Sequence, residues 1–376
     1  MNIEILAIGE EVLKGFTVNT NAAFLSKELD TRGYKVTRHT VISDVPEVIE
    51  ESITDAFRRS NIVITTGGLG PTSDDLTSAI LAKIFPNHAS HLNNSLGTAK
   101  GFAFSEQGKT IIALPGIPRE MEAMFLLEAV PFLTKHNPLK EKQYIEDTYF
   151  AILSENPVDS YLSSLKLEKG IEVGLYPSLG VLHVAFSGKE RLKLIAAKEK
   201  VKAEFKNHFF DSETGSLEEA VHKMFISKKK TLALAESCTG GSIAKRLTSL
   251  PGSSEYFLGF IVSYSNELKE NLLHVTLDEN GEVSLEAVTQ MAKGVLECTS
   301  CDYALAVTGI AGPAGGSDEK PVGTVYLALA ERGKEVIAGR FKAMGRNRSW
   351  IIEYTTNFCL FSLLKYVESH TPPMFA

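Results

Sequence analysis

Residues 232–248 read LALAESCTGGSIAKRLT, and this stretch carries the clearest fold signal in the chain. An apolar run, a serine, two glycines and apolar residues at helical spacing predict a buried strand, a tight turn and a helix. Ser237 stands at the turn, which in open α/β sheets lies at the edge where ligands bind. Gly240 and Gly241 would let a substrate approach the backbone, and the free N–H groups of the helix start could hold an anion or an oxyanion. A serine here is also a common helix cap, so the motif alone leaves both interpretations open.

Two further apolar strands lie C-terminal to this motif, and each ends in a polar or glycine-rich loop. SYSNELK (263–269) follows the first and contains Tyr264 and Lys269, and VTGIAGPAGG (307–316) closes the second and contains Thr308. Taken singly, Lys269 is typical of a solvated surface lysine, and Thr308 is typical of a turn residue. Three such strand ends within one domain indicate a shared ligand site.

Together with the following PVGTVYLAL (321–329), these motifs resemble the C-terminal domain of the CinA family, which includes nicotinamide-mononucleotide deamidases. The resemblance implies an α/β amidohydrolase domain over residues 214–370. It also implies that Ser237 is the nucleophile and Lys269 its base, with Tyr264 and Thr308 as further catalytic residues. A late arginine of the family motif maps best onto Arg348 in GRNRSW (345–350), where this sequence departs from the family pattern and leaves Arg346 as an alternative. The residues implied to bind substrate are therefore Gly240, Gly241 and one of Arg346 and Arg348.

The residue types in these motifs suit amide hydrolysis without a metal or a cofactor. The motifs contain no histidine, so a Ser–His triad is not indicated. A lysine can replace the histidine if its pKa is depressed, because only the neutral amine accepts a proton, and burial would lower that pKa. Thr308 could relay a proton or orient the lysine. An arginine could form a two-pronged salt bridge with a substrate phosphate.

The first part of the chain alternates strand and helix patterns, which predicts a parallel sheet with helices on both faces over residues 1–135. TTGGLGPTSDDLT (65–77) follows a strand and opens a helix. Its glycines could cradle a phosphate and its aspartates could bind a divalent cation or act as a base, although an aspartate pair at this place is also typical of helix capping. The residues concerned are Gly67, Gly68, Gly70, Asp74 and Asp75.

This motif, with residues 9–22 and LPGIPREM (114–121), resembles the molybdopterin-binding fold at the N-terminus of CinA proteins. In some members that domain hydrolyses ADP-ribose with a metal ion. Here the helical excursion that the family carries after the DDLT helix is missing, since Phe85 runs almost directly into the next strand. The domain is shortened there, and both catalysis and a role in ligand binding or dimerisation remain open for it.

Between these domains, residues 136–143 (HNPLKEKQ) predict a linker, and residues 144–210 have the β-α-β-β-α rhythm of a small, KH-like α+β module. The net charge of −7 argues against a direct nucleic-acid surface. The sequence has no basic signal-peptide lead and no apolar run long enough for a membrane span, so we expect a cytoplasmic protein without membrane contact. The wide apolar face of the last helix favours a packed core or a dimer helix, and we expect a homodimer.

These observations lead us to expect an enzyme of pyridine-nucleotide salvage that deamidates nicotinamide mononucleotide. One alternative is a metal-dependent ADP-ribose pyrophosphatase in the N-terminal domain. Another is a non-catalytic binding or scaffold protein linked to competence or DNA damage.

Overall fold

The protein, described here from a computed structural model over residues 1–70, 76–86, 90–139 and 143–375, has a mixed α/β fold. It divides into two compact units. The first comprises Met1–Ile145 and Ser187–Arg191, and the second comprises Glu146–Phe186 and Leu192–Ala376.

Strands and helices alternate through the first unit, as its βα sequence pattern predicts. Its elements are β1 (Ile3–Ile8), α1 (Glu10–Leu13), α2 (Thr20–Thr31), β2 (Val36–Ile42), α3 (Pro46–Arg59), β3 (Ile62–Thr66), α4 (Thr77–Ile84), β4 (Ser90–Leu92), β5 (Gly101–Glu106), β6 (Lys109–Leu114), α5 (Pro118–Met124) and α6 (Val130–His136). They form a sheet in the order β2-β1-β3-β6-β5-β4. The first four of these strands are parallel, and β5 and β4 run antiparallel to their neighbours.

Helices cover both faces of this sheet, because its central strands are apolar on both sides. Ile5 of β1 packs into one core with Leu25 of α2, whereas its neighbour Leu6 packs into the opposite core with Ile53 of α3. The predicted parallel sheet with two covered faces is therefore present, with an antiparallel hairpin added at one edge.

The predicted linker begins as part of the first unit. Asn137 is buried, its side-chain oxygen accepts a hydrogen bond from Thr110 at 2.6 Å, and its carbonyl accepts one from Tyr34 at 3.0 Å. The polar composition of residues 136–143 concealed this contact, since a buried asparagine satisfied by hydrogen bonds has the same sequence signature as a solvated one.

The segment predicted as a small α+β module ends in a short strand, β10 (Phe209–Phe210), that the sequence pattern did not predict and that pairs antiparallel with the first strand of the module. Its elements are β7 (Tyr144–Ala151), α7 (Glu155–Ser164), β8 (Ile171–Ser178), β9 (Val181–Gly188), α8 (Arg191–Glu204) and β10 (Phe209–Phe210). The strands lie in the order β10-β7-β9-β8.

The rest of the second unit is an α/β domain built on a sheet in the order β12-β11-β13-β14-β15. Its elements are α9 (Leu217–Lys228), β11 (Leu232–Glu236), α10 (Ser242–Thr248), β12 (Phe257–Val262), α11 (Asn266–Leu273), α12 (Leu285–Thr299), β13 (Tyr303–Gly309), β14 (Thr324–Glu331), β15 (Ile337–Lys342) and α13 (Arg348–Ser369). Strands β12, β11 and β13 are parallel, and β14 and β15 complete the sheet in antiparallel fashion. The carboxyl ends of the three parallel strands therefore meet at one edge.

Both faces of this second sheet are also covered. Phe225 of α9, Ile243 of α10 and Phe358 of α13 share one core, and Leu273 of α11 and Met291 of α12 share the other. Within the described ranges no helix, α13 included, combines the length and apolar character that a membrane crossing requires.

Candidate active site

Ser237 is the first residue after β11 and is held at the sheet edge by the backbone. Its N–H donates to the carbonyl of Val307 on β13 at 3.0 Å, and the N–H of Ser263 donates to the carbonyl of Glu236 at 2.9 Å. These bonds continue the parallel pairing one step beyond the strands. The serine side chain is consequently fixed, mostly buried and adjacent to the loop that follows β12.

Lys269 brings a buried amine to this serine. The lysine lies in the first turn of α11, and its side chain is 0% exposed. Its Nζ lies 3.3 Å from Ser237 Oγ, 2.8 Å from the carbonyl oxygen of Ser263 and 3.3 Å from that of Tyr264. In the described parts of the chain no carboxylate lies within ion-pair distance of it. Burial without an ion-pair partner disfavours the ammonium form.

Burial lowers the pKa of Lys269 from its ordinary value of 10.5, and the nearby charge of Glu282 opposes part of that fall. The interpretation of Lys269 as a solvated surface lysine, which its motif favours when taken singly, was wrong. Tyr264 lies in the loop after β12, and Lys269 lies in the first turn of helix α11, whose N-cap is Ser265. The helical turn directs the lysine inward, which a strand or loop assignment could not predict.

The start of α10 does not offer free N–H groups to a ligand, contrary to the sequence-based expectation. The buried carboxylate of Glu236 accepts hydrogen bonds from the N–H groups of Gly241, Ile243 and Ala244 at 2.8–3.2 Å, and from the hydroxyl of Thr239 at 2.7 Å. An internal carboxylate therefore fills the place of the expected anion. Burial raises the pKa of Glu236, and these hydrogen bonds offset part of the rise.

Thr308 lies at the end of β13, where it is 1% exposed. Its hydroxyl donates to the carbonyl of Glu282 at 2.9 Å. The hydroxyl proton is thus engaged with the loop before α12. This threonine therefore positions Glu282 at the cavity. Among the described residues its hydroxyl makes no hydrogen bond to Lys269, so the structure gives no support to a direct role in orienting that lysine.

The two candidate arginines differ in position. Arg348, the first residue of α13, donates from Nη1 to the carbonyl of Gly312 at 2.9 Å and from Nη2 to the hydroxyl of Tyr264 at 2.6 Å. Arg346 instead stacks on the ring of Trp350, 5.6 Å from its centroid. Only Arg348 of the pair lines the cavity at Ser237.

These side chains surround one cavity of about 350 Å³, which has Ser237 and Lys269 in its wall. It is lined by Ser237, Cys238, Tyr264, Lys269, Asn280, Glu282, Val283, Thr308, Gly309, Ile310, Ala311, Gly312, Ala314, Gly315, Ser317, Lys320 and Arg348. Gly240 and Gly241 are not among these described lining residues. Their φ angles of 61° and 92° show that the turn itself needs them, because L side chains rarely adopt such a backbone.

Four polar lining residues were not predicted from the sequence, namely Asn280, Glu282, Ser317 and Lys320. Asn280 and Glu282 precede α12, in a segment without a recognisable strand end. Lys320 stands one residue before the PVGTVYLAL motif. The position next to that motif was the one available signal.

The first unit has a cavity of its own, of about 550 Å³, after β3. Gly67, Gly68 and Gly70 line it together with the carboxylate residues Glu11, Asp44 and Glu120. Gly67 is required by close packing, since a Cβ there would lie 2.2 Å from the carbonyl oxygen of Ile8. Asp74 and Asp75 lie outside the described residues. In the ranges that are described, no group of three or more His, Cys, Asp or Glu side chains is arranged to hold a metal ion.

Comparison with known proteins matches two families, one to each end of the chain. Residues 4–135 match the probable molybdopterin binding domain, and residues 214–367 match the CinA C-terminal domain.

The similarity to curated relatives extends over nearly the whole chain. A CinA-like protein of Prochlorococcus marinus is 35% identical, with 95% of this chain and 94% of the relative aligned. A putative competence-damage inducible protein of Halothermothrix orenii is 33% identical over 97% of this chain and 99% of the relative. The solved competence/damage inducible protein of Agrobacterium tumefaciens is 36% identical, covers 43% of this chain and 98% of its own, and has a TM-score of 0.40.

Proposed function

The chain belongs to the CinA family, and from that membership we propose that its second unit deamidates nicotinamide mononucleotide to nicotinate mononucleotide and ammonia. The observation that carries the proposal is the pair formed by Ser237 and Lys269. Their side chains lie 3.3 Å apart, and the amine is buried among neutral acceptors. A serine beside a neutral amine is an activated nucleophile for acyl transfer.

The proposed reaction proceeds in two balanced steps. The neutral Nζ of Lys269 takes the proton of Ser237 Oγ as that oxygen attacks the carboxamide carbon. The resulting ammonium then protonates the leaving nitrogen, so ammonia departs and an acyl ester remains on Ser237. Water attacks the ester while Lys269 accepts its proton, and that proton returns to Ser237 Oγ as the carboxylate product forms.

Arg348 is the residue that we assign to the substrate phosphate. Its guanidinium lines the cavity and has only neutral partners, a carbonyl and a phenol, within the described chain. Arginine suits a phosphate because its planar donors can bind two oxygens together. Tyr264, through its hydroxyl, holds this guanidinium in place, so we assign it a positioning role.

The test is ammonia release from nicotinamide mononucleotide by the purified full chain. Replacement Ser237→Ala removes one oxygen from a turn, so it should abolish release and leave the fold intact. Ser249→Ala, at an exposed position after α10, is the matched control and should retain full activity. Unchanged release by Ser237→Ala would remove this serine as nucleophile.

A folded wild-type protein that releases no ammonia would defeat the proposal. The non-catalytic binding or scaffold role would then be favoured, in keeping with the competence-damage name of one relative.

A second candidate activity, metal-dependent hydrolysis of ADP-ribose, is favoured by the cavity of the first unit. Its glycine turn could accept a phosphate, and Glu11, Asp44 and Glu120 line the same cavity without forming a metal-binding group among the described residues. Release of AMP from ADP-ribose with Mg²⁺ or Mn²⁺ present tests this activity. Asp74→Asn combined with Asp75→Asn should remove it without altering deamidation.

A further inference from the structure

Lys320 is a second cation in the wall of the Ser237 cavity, contributed by the loop between β13 and β14. Its backbone is fixed by a tight turn, in which Ser317 N–H donates to its carbonyl at 3.0 Å and its own N–H donates to Ser317 Oγ at 3.1 Å. Its Nζ donates to the carbonyl of Asn280 at 2.6 Å. The bond to Asn280 therefore holds the ammonium at the wall of the cavity.

Neither Lys320 nor Arg348 has a carboxylate partner among the residues that the structure describes. Each uses neutral acceptors, and Lys320 donates to one carbonyl although an ammonium has three N–H donors. Burial favours neutral Lys269, and Glu282 is the one carboxylate residue among the described lining residues. Lys320 and Arg348 thus contribute two cationic side chains to a cavity whose described lining has one carboxylate, and this balance favours an anionic ligand.

We propose that Lys320 is a phosphate-binding residue that works together with Arg348 and makes the site selective for phosphorylated over unphosphorylated nicotinamide ribosides. The inference rests on the proposed deamidation for its substrate class. A phosphate monoester carries between one and two negative charges at neutral pH and has three acceptor oxygens, which matches two cations better than one. The remaining N–H donors of Lys320 would bind one of those oxygens while the bond to Asn280 persists.

A purely structural role would have a different consequence. If Lys320 only connects its own loop to the loop of Asn280, its replacement would disorder the cavity wall and impair every substrate equally. A phosphate-binding role instead predicts an effect that depends on whether the substrate carries the phosphate. Nicotinamide riboside, which lacks only that group, separates the two roles.

The experiment compares Lys320→Met and Lys320→Arg with wild type on nicotinamide mononucleotide and on nicotinamide riboside. Lys320→Met should lower kcat/KM for the mononucleotide by about tenfold or more, the loss expected for one charge-assisted hydrogen bond, mainly through KM. Its kcat/KM for the riboside should stay within about twofold of wild type. Lys320→Arg should recover most of the loss, and Lys293→Met, at an exposed position on α12, should match wild type throughout. Equal losses on both substrates would overturn the proposal and leave Lys320 with the purely structural role.

Direct binding of ribose 5-phosphate, measured by calorimetry, separates this inference from the proposed function. Wild type should bind it, and Lys320→Met should bind it about tenfold more weakly or worse. Undetectable binding to wild type, or equal binding to both proteins, would overturn the role of Lys320 even in an active deamidase. Lysine-dependent binding by a protein that releases no ammonia would preserve the phosphate site and reject the deamidation.

Discussion

At Lys269 the proposed chemistry depends on whether one amine is neutral, and substitution by arginine tests this. Arginine keeps the positive charge but does not lose its proton at any usable pH, so it cannot act as a base. Lys269→Arg should therefore be nearly as damaging as Lys269→Ala, with a loss on the order of 10²–10⁴ in the rate of ammonia release. An arginine variant that keeps a third or more of the wild-type rate would make Lys269 an electrostatic residue.

The same amine predicts the sign of the pH dependence. Burial places the pKa of Lys269 below 10.5, and the active form is the neutral one. The rate of deamidation should thus rise with pH through one ionisation whose midpoint lies below pH 10.5. The profile should be measured above about pH 7, where the substrate phosphate is already ionised. A profile that falls across this range would contradict the assignment.

Part of the site follows from the sequence at this scale, and part of it does not. Ser237 and Thr308 follow from strand ends, because parallel strands bring their carboxyl ends together. The sequence motif favoured Arg348 without excluding Arg346, and only the structure shows that Arg348 lines the cavity while Arg346 lies against Trp350. Lys320 was missed because a long loop has no period from which a direction can be read.

Among the elements, α10 depends on Glu236 as an internal cap. Glu236→Gln keeps the size of the side chain but places N–H donors against the backbone N–H groups of the helix start. This change should destabilise the second unit by about 1–3 kcal/mol, the usual cost of leaving buried donors unpaired. Chemical denaturation can be followed through the single tryptophan, Trp350, which lies on α13 of the same unit.

Glu335→Gln, at an exposed position between β14 and β15, is the matched control for this measurement and should be neutral. If Glu236→Gln proves as stable as wild type, the carboxylate is not needed as a cap.

Most elements were predictable because apolar periodicity reports burial directly. The alternation of the first unit and the long α13 both follow from it. The start of α11 was obscured because NELKENLL follows a strand without a glycine or proline to separate them. The short β10 is too brief to have a period, and only its pairing with β7 defines it.

For the whole molecule, the two cavities belong to different units and should respond differently to chelation. EDTA should leave ammonia release unchanged, because nucleophile and base are both side chains of the second unit. It should abolish any metal-dependent release of AMP from ADP-ribose. Both activities can be measured on the same preparation, before and after metal is restored. Inhibition of deamidation that added metal reverses would overturn the serine–lysine mechanism.

The grouping of segments into two units was harder to predict from the sequence than the helices and strands were. The composition of residues 136–143 indicates a break, yet Ser187–Arg191 groups with the first unit although it closes β9 and opens α8. Such a grouping is set by contacts distant in sequence, which local patterns do not report.

The unequal burial of the four cysteines has a practical consequence for labelling. Cys238, Cys301 and Cys359 are buried, and burial raises the pKa of each thiol, that of Cys238 to about 12. Thiol-reactive dyes attack the thiolate, so these three should remain unmodified in the native protein. Cys298 is exposed near the end of α12 and offers a natural attachment point for a single fluorophore or spin label. The wild-type chain could thus be tagged stoichiometrically while the thiol beside Ser237 stays untouched.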